Sequence, residues 1–157
     1  KQYSNAFLFI AGEGPDREKL EKIITKNELQ DKVFLIGRLP HDETISPNYN
    51  CFLHLLDCFI LSSNIEGFPL VALEAMYAKR FIISSKVAGM EDYFTNEEEI
   101  LLFDINNEIQ LIQCMEKRIQ MDNTETNTMI NRSYKKVCEN FSPEAITNHI
   151  IQVYKNN

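Results

Sequence analysis

Two carboxylates stand out in any search for chemistry in this chain. Glu66 and Glu74 lie eight positions apart in SSNIEGFPLVALEAM, residues 62–76, separated by a Gly-Phe-Pro turn and an unbroken apolar run. Pro69 suits the first position of a helix, where its missing N–H is no loss. The remaining backbone N–H groups of such a helix start, with the helix dipole, make a site for an anion such as a phosphate. Glu66 falls just outside this helix and can point across a cleft. Glu74 falls inside it, and because helical side chains lean toward the N-terminus its carboxylate can reach back to the same cleft. Two acceptors flanking an anion site suit a ligand that carries phosphates between two sets of hydroxyls, and a sugar nucleotide has that layout. A plainer account makes Glu66 a dipole-stabilising carboxylate and Glu74 a solvated face residue. Against it, Glu74 is surrounded in sequence by Leu70, Val71, Ala72, Leu73, Ala75 and Met76, and a carboxylate is costly to bury there without a partner.

Other chemistry finds less support. GEGPDRE, from Gly12 and Gly14 onward, has Arg17 where a dinucleotide fingerprint needs its third glycine, so these are turn glycines or part of some other ligand loop. There is no Walker loop, nucleophile elbow or paired His/carboxylate set, and His41, His54 and His149 are scattered. Cys51, Cys58, Cys114 and Cys138 form no CxxC pair, so zinc is not expected. Their apolar surroundings predict buried, reduced thiols and a cytosolic compartment.

The elements that must hold the two glutamates follow from the apolar pattern. Strands are predicted over 6–11, 32–37, 58–63, 81–85 and 100–103, with helices over 16–26, 49–56, 69–78, 107–120 and 125–139 and a last one from Ser142-Pro143, where Ser142 suits an N-cap. Strands apolar on both faces and alternating with helices predict a parallel sheet covered on both sides. Ligands of such folds collect at the carboxyl ends of the strands; the loops there hold all five glycines. The 157 residues are 44% apolar, enough for one folded domain, and carry 16 basic and 23 acidic residues, a net charge of −7. Such a balance argues against nucleic acid as partner, and no apolar run is long enough for a bilayer. The chain opens on KQYSNAFLFI without a methionine, as a piece of a longer protein would.

IAGEGPDREKLEKII, VFLIGRL, DCFILSSNIEGFPLVALEAM, KVAGMED and FSPEAITNHIIQVY follow one another in a way that resembles the C-terminal, donor-binding domain of retaining GT-B glycosyltransferases of family 4, over almost the whole chain. The resemblance implies an α/β, Rossmann-like parallel sheet with helices on both faces, residues 1–157 being one truncated nucleotide-sugar-binding domain with 142–157 its C-terminal helix. It implies that Glu66 faces the donor sugar and its anomeric centre, and that Glu74 accepts from the ribose hydroxyls. Amides around Gly67, Phe68, Pro69 and Leu70 would hold the sugar or diphosphate, with Ser63 beside them. Gly12 and Gly14 match the glycine turn of the donor cleft, and Gly37, Arg38 and Leu39 the loop that contacts the base. No metal or other cofactor is implied; the donor would be a UDP-, GDP- or ADP-sugar. The full enzyme would transfer a hexose to a glycan or lipid-linked acceptor, in the cytoplasm or at the inner face of the membrane.

Several positions depart from the family pattern. Ser62-Ser63 replaces Pro-Ser, Ala88-Gly89 a glycine pair, Ala78-Lys79-Arg80-Phe81 the usual Ala-Gly-x-Pro, and Asp92 a glutamate; no glycine stands near Glu99-Ile100. The family's first strand and helix, with a basic pair for the diphosphate, and its N-terminal acceptor-binding domain have no counterpart here. The usual strand order is 3-2-1-4-5-6, so the sheet is expected to close a central gap or borrow a strand, and the chain alone to be inactive. A sugar-nucleotide epimerase of related scaffold and a non-catalytic nucleotide-binding or interaction domain stand as alternatives.

Overall fold

The computed structural model describes residues 3–39 and 48–155, so His41 lies outside the described residues. The chain divides into two compact units, 1–51 and 52–157.

In the first unit, strand β1 (Leu8–Ala11) and strand β2 (Val33–Gly37) pair in parallel, joined by helix α1 (Arg17–Lys26). Leu8 faces Val33 and Phe9 faces Phe34, whose rings stack at 5.2 Å. The pattern that predicted strands buried on both faces fails here. Phe9 is 44% exposed and Leu8 40%, and α1, despite Leu20, Ile23 and Ile24 at helical spacing, buries no residue. Two strands and one short helix have too little apolar area to exclude water from both faces.

Helix α2 (Asn48–Leu55) spans the division after Cys51, and the second unit continues with strand β3 (Cys58–Leu61), helix α3 (Leu70–Tyr77), strand β4 (Phe81–Ser85) and strand β5 (Leu101–Phe103). Helices α4 (Glu108–Gln120), α5 (Asn123–Phe141) and α6 (Pro143–Lys155) follow. The strands are parallel in the order β3-β4-β5, with Cys58 opposite Phe81 and Ile83 opposite Leu101. All five residues of β4 are buried. Phe81, Ile83, Leu101 and Phe103 meet Met129 of α5, and Leu111, Cys114 and Met115 of α4 close the cluster. Ala72, Ala75 and Met76 bury the inner face of α3.

These parallel strands with intervening helices are the Rossmann-like α/β arrangement expected, but among the described residues the ladders form two sheets rather than one. An apolar pattern says which faces of a strand can be buried and nothing about which edge it pairs with. Most elements fall within two residues of their predicted bounds. The clearest shift is α5, which begins at Asn123 because Asp122 caps it, its carboxylate accepting from the Glu125 N–H at 2.8 Å. Ser142 is the predicted cap of α6, its hydroxyl accepting from the Ala145 N–H at 3.1 Å. At the amino ends of β3 and β4, Arg80 donates to the carbonyls of Leu56 (2.8 Å), His54 (3.3 Å) and Ala78 (2.9 Å).

Candidate functional site

The loop between β3 and α3, residues 62–69, lies at the carboxyl end of β3, where ligands of parallel sheets bind. β3 ends at Leu61, so Ser62 and Ser63, predicted to extend it, belong to the loop instead. The buried Ser85 hydroxyl donates to the Ser63 carbonyl at 2.6 Å. The Ser63 hydroxyl in turn donates to Glu66 Oε1 at 2.9 Å, a geometry that aims the half-buried carboxylate.

Phe68 anchors the other end of the loop. Its ring lies 4.9 Å from that of Phe141 and edge-on to Tyr93 at 5.6 Å. Gly89 makes this packing feasible. It has φ +79°, and a Cβ there would stand 2.4 Å from Phe68 Cδ2 and 3.0 Å from the Gly67 carbonyl oxygen. Gly67 is the opposite case. It has no positive φ, and beyond its chain neighbours no atom of the described residues lies within 4 Å of where a Cβ would be, so none of them requires a glycine. A side chain at this position would fill only the open space above the loop.

Pro69 is not the first helical residue but the N-cap of α3, in extended conformation (φ −78°, ψ 93°). Its carbonyl accepts from the Ala72 N–H at 3.0 Å. The N–H groups of Leu70 and Val71 come first, and among the described residues neither is hydrogen-bonded. Glu74 is half-buried at the fifth position of α3. The apolar run around it was expected to pack the helix onto the sheet, but only one side does so. Leu70 is 66% and Val71 38% exposed, because an eight-residue helix has one inner face and this run is apolar on both.

Gly12, Gly14, Gly37, Arg38 and Leu39 belong to the first unit. There the Gly12 N–H donates to the Gly37 carbonyl at 2.8 Å. Glu13, which no motif in the sequence singles out, lays its carboxylate across Gly37, Oε1 being 2.7 Å from the position of a Cβ. Arg17, the residue that breaks the dinucleotide fingerprint, holds that carboxylate at 3.1 Å. Gly14 stands in open space, Arg38 is exposed and Leu39 half-buried.

A second polar group missed in the sequence closes the carboxyl ends of β4 and β5. Lys86 meets Asp104 Oδ1 at 2.6 Å, and Gln110 donates to Oδ2 at 2.8 Å while accepting from the Asp104 N–H at 2.7 Å. The hydrogen bond from Lys86, then that from Gln110, holds the Asp104 carboxyl below its ordinary range, and the same contact with Asp104 raises Lys86. The lone lysine directly after an apolar strand was the available signal. The thiols are less buried than expected: Cys51 is exposed, and Cys58, Cys114 and Cys138 are half-buried. Burial pushes Cys58 up to about 12, which leaves it no nucleophilic thiolate at neutral pH. Among the described residues no cluster of three or more His, Cys, Asp or Glu is placed to hold a metal, and no helix is long and apolar enough to cross a membrane. The site can therefore offer an anion two backbone donors, and offer a hydroxyl the Glu66 carboxylate beside them.

Comparison with known proteins places these features. Residues 1–137 match the family model described as glycosyl transferases group 1. The lipopolysaccharide core biosynthesis glycosyltransferase LpsD of Rhizobium meliloti is 25% identical over 154 residues, 98% of this chain and 43% of that protein. HepE of Anabaena, solved in complex with UDP, superposes with a TM-score of 0.84 at 16% identity, over 99% of this chain and 42% of that one. The C-terminal domain of a glycosyl transferase group 1 family protein (LpcC) from Francisella tularensis superposes with a TM-score of 0.70 at 23% identity, over 83% of this chain and 66% of that one. The chain thus spans about two fifths of the length of LpsD.

Proposed function

The chain belongs to the glycosyl transferases group 1 family, and from that membership we propose that it is the donor-binding domain of a retaining, family 4 glycosyltransferase. The whole enzyme transfers a hexose from a nucleoside diphosphate sugar to a glycan or lipid-linked acceptor, in the cytoplasm or at the inner face of the membrane. The observation that carries this reading is the 62–69 loop. It aims Glu66 through Ser63, leaves the space over Gly67 open, and presents the Leu70 and Val71 N–H groups at the start of α3. The UDP bound in the structure of HepE supports a nucleotide as the ligand class.

In this mechanism the leading amides of α3 receive the diphosphate, whose growing charge as the sugar departs is met by fixed dipoles that need no reorganisation. Glu66 orients the hexose and stabilises positive charge developing at its anomeric carbon, without acting as a covalent nucleophile. Glu74 accepts from the ribose hydroxyls. No metal ion takes part in the transfer.

A titration tests the reading. UDP, GDP, ADP and their hexose conjugates are offered to the chain by calorimetry. One nucleotide is expected to bind saturably, and Glu74→Ala to weaken it about tenfold through loss of hydrogen bonds to the ribose. Binding untouched by Glu74→Ala would remove that residue's role. No binding of any nucleotide at millimolar concentration would count against the donor site itself.

A further inference from the structure

β4 is apolar until its last two residues, Ser84 and Ser85, which are 0% and 1% exposed. A hydroxyl is costly to bury unless it is bonded, and both are. Ser84 donates to the Ser85 carbonyl at 2.9 Å, a purely local bond. Ser85 instead reaches across to the β3–α3 loop, donating to the carbonyl of Ser63 at 2.6 Å. Ser63 then donates to Glu66 Oε1 at 2.9 Å. Two hydroxyl bonds thus link the buried carboxyl end of β4, through both the carbonyl and the hydroxyl of Ser63, to the one carboxylate in the loop. A glutamate side chain on a loop otherwise divides its time among several rotamers, and selecting one costs entropy at the moment of binding.

Building on the donor-site reading above, we infer that Ser85 and Ser63 are positioning residues that preset Glu66 for the hexose. Ser85 fixes the plane of the peptide after Ser63, Ser63 occupies Oε1, and Oε2 is left to accept from a sugar hydroxyl. This gives Ser63 a different task from direct contact with the donor. The geometry concerns the sugar and not the nucleotide, because these bonds end on Glu66, the carboxylate assigned to the hexose.

The test compares a nucleoside diphosphate with its own hexose conjugate (UDP with UDP-glucose, GDP with GDP-mannose, ADP with ADP-glucose) on the wild-type chain, Ser85→Ala, Ser63→Ala and Ser63→Thr. Each alanine variant is expected to weaken the conjugate about fivefold, the loss of one hydrogen bond's worth of ordering, while the bare diphosphate changes less than about twofold. Ser63→Thr, which keeps the hydroxyl, is expected to bind as wild type. Equal weakening of conjugate and diphosphate, or failure of threonine to rescue, overturns the proposal, since either would indicate general damage to the loop.

A ligand-free measurement separates this inference from the reading beneath it. Three-bond couplings across χ1 of Glu66 are expected to report one rotamer in the wild type and averaging in both alanine variants. Couplings that do not change overturn the positioning role whatever the ligands do. If the wild type binds no nucleotide while the couplings change as expected, it is the donor site that fails and not the ordering of Glu66. Should Ser85→Ala fail to fold, Ser63→Ala, whose altered side chain lies on the loop, gives the same readout.

Discussion

β1 and β4 read alike as sequence, LFIA and FIISS, and the structure treats them in opposite ways. β4 is buried at every residue between β3 and β5, with α3, α4 and α5 packed around it. Among the described residues β1 pairs with β2 alone, and three of its four residues are exposed. The lesson is that an apolar run records a capacity for burial, whereas the layers brought over it decide how much is realised. The stability of the second unit therefore resides in β4 and its neighbours, and the first unit has much less of its own.

The sharpest way to break this contrast is to delete matching side chains. Ile83→Ala, at a fully buried position, is expected to cost about 3–4 kcal/mol by lost transfer energy and the cavity left behind. Leu8→Ala, at a position 40% exposed, is expected to cost under about 1 kcal/mol. Urea unfolding followed by residue-resolved hydrogen exchange measures both; equal costs would mean that β1 is as well covered as β4. A glycine pair comes next. Gly89→Ala forces a side chain into Phe68 at a positive φ and should cost about 2 kcal/mol or more. Gly14→Ala enters open space without a positive φ and should stay within about 0.5 kcal/mol of wild type. Thermal melts decide it.

How much of this was legible beforehand depends on the range of the interaction. β4 was read at its observed bounds because five consecutive residues carry the signal. The Gly-Phe-Pro turn marks the start of α3 to within one residue, and Ser142 is legible as a cap, because both signals are local. Asp122 was equally local and was overlooked, though Asp followed three residues later by Glu125 is a capping signal. The Phe68–Gly89 contact, the Ser85–Ser63 bond and the Lys86–Asp104 pair join positions about 20 residues apart, and nothing in either partner's neighbours announces the other. The exposure of β1 was invisible for the same reason, since it depends on layers and not on the strand.

Two gentler probes sharpen the comparison further. Cys51 is exposed at the end of the first unit, whereas Cys58 is half-buried on β3, its thiol pushed up to about 12. Alkylation at neutral pH followed by peptide mass mapping should label Cys51 in the native protein and Cys58 only as the second unit unfolds. Fast native labelling of Cys58 would show that the sheet around it opens easily. The smallest effect belongs to the exposed Lys86–Asp104 pair. Lys86 is raised, so its share of stability is complete below its ordinary 10.5 and is lost as pH climbs through the folded value. Asp104 is lowered, so its share is complete above its ordinary 3.8 and is lost as pH falls through the folded value. The difference in melting temperature between wild type and Asp104→Asn should therefore be flat across neutral pH and shrink at both extremes; a difference independent of pH would assign the effect to the Gln110 contacts.

Arg80 adds a mechanical consequence. Its guanidinium joins the carbonyls of His54 and Leu56, just before β3, to the residue that leads into β4, while the Ser85 hydroxyl joins the far end of β4 to the segment just after β3. The two strands are therefore laced at both ends as well as hydrogen-bonded along their length. A load applied at one end is shared with the other, so the pair tilts as a plank and does not splay like a hinge. Whatever settles on the loop above it rests on a floor whose stiffness was set when the chain folded.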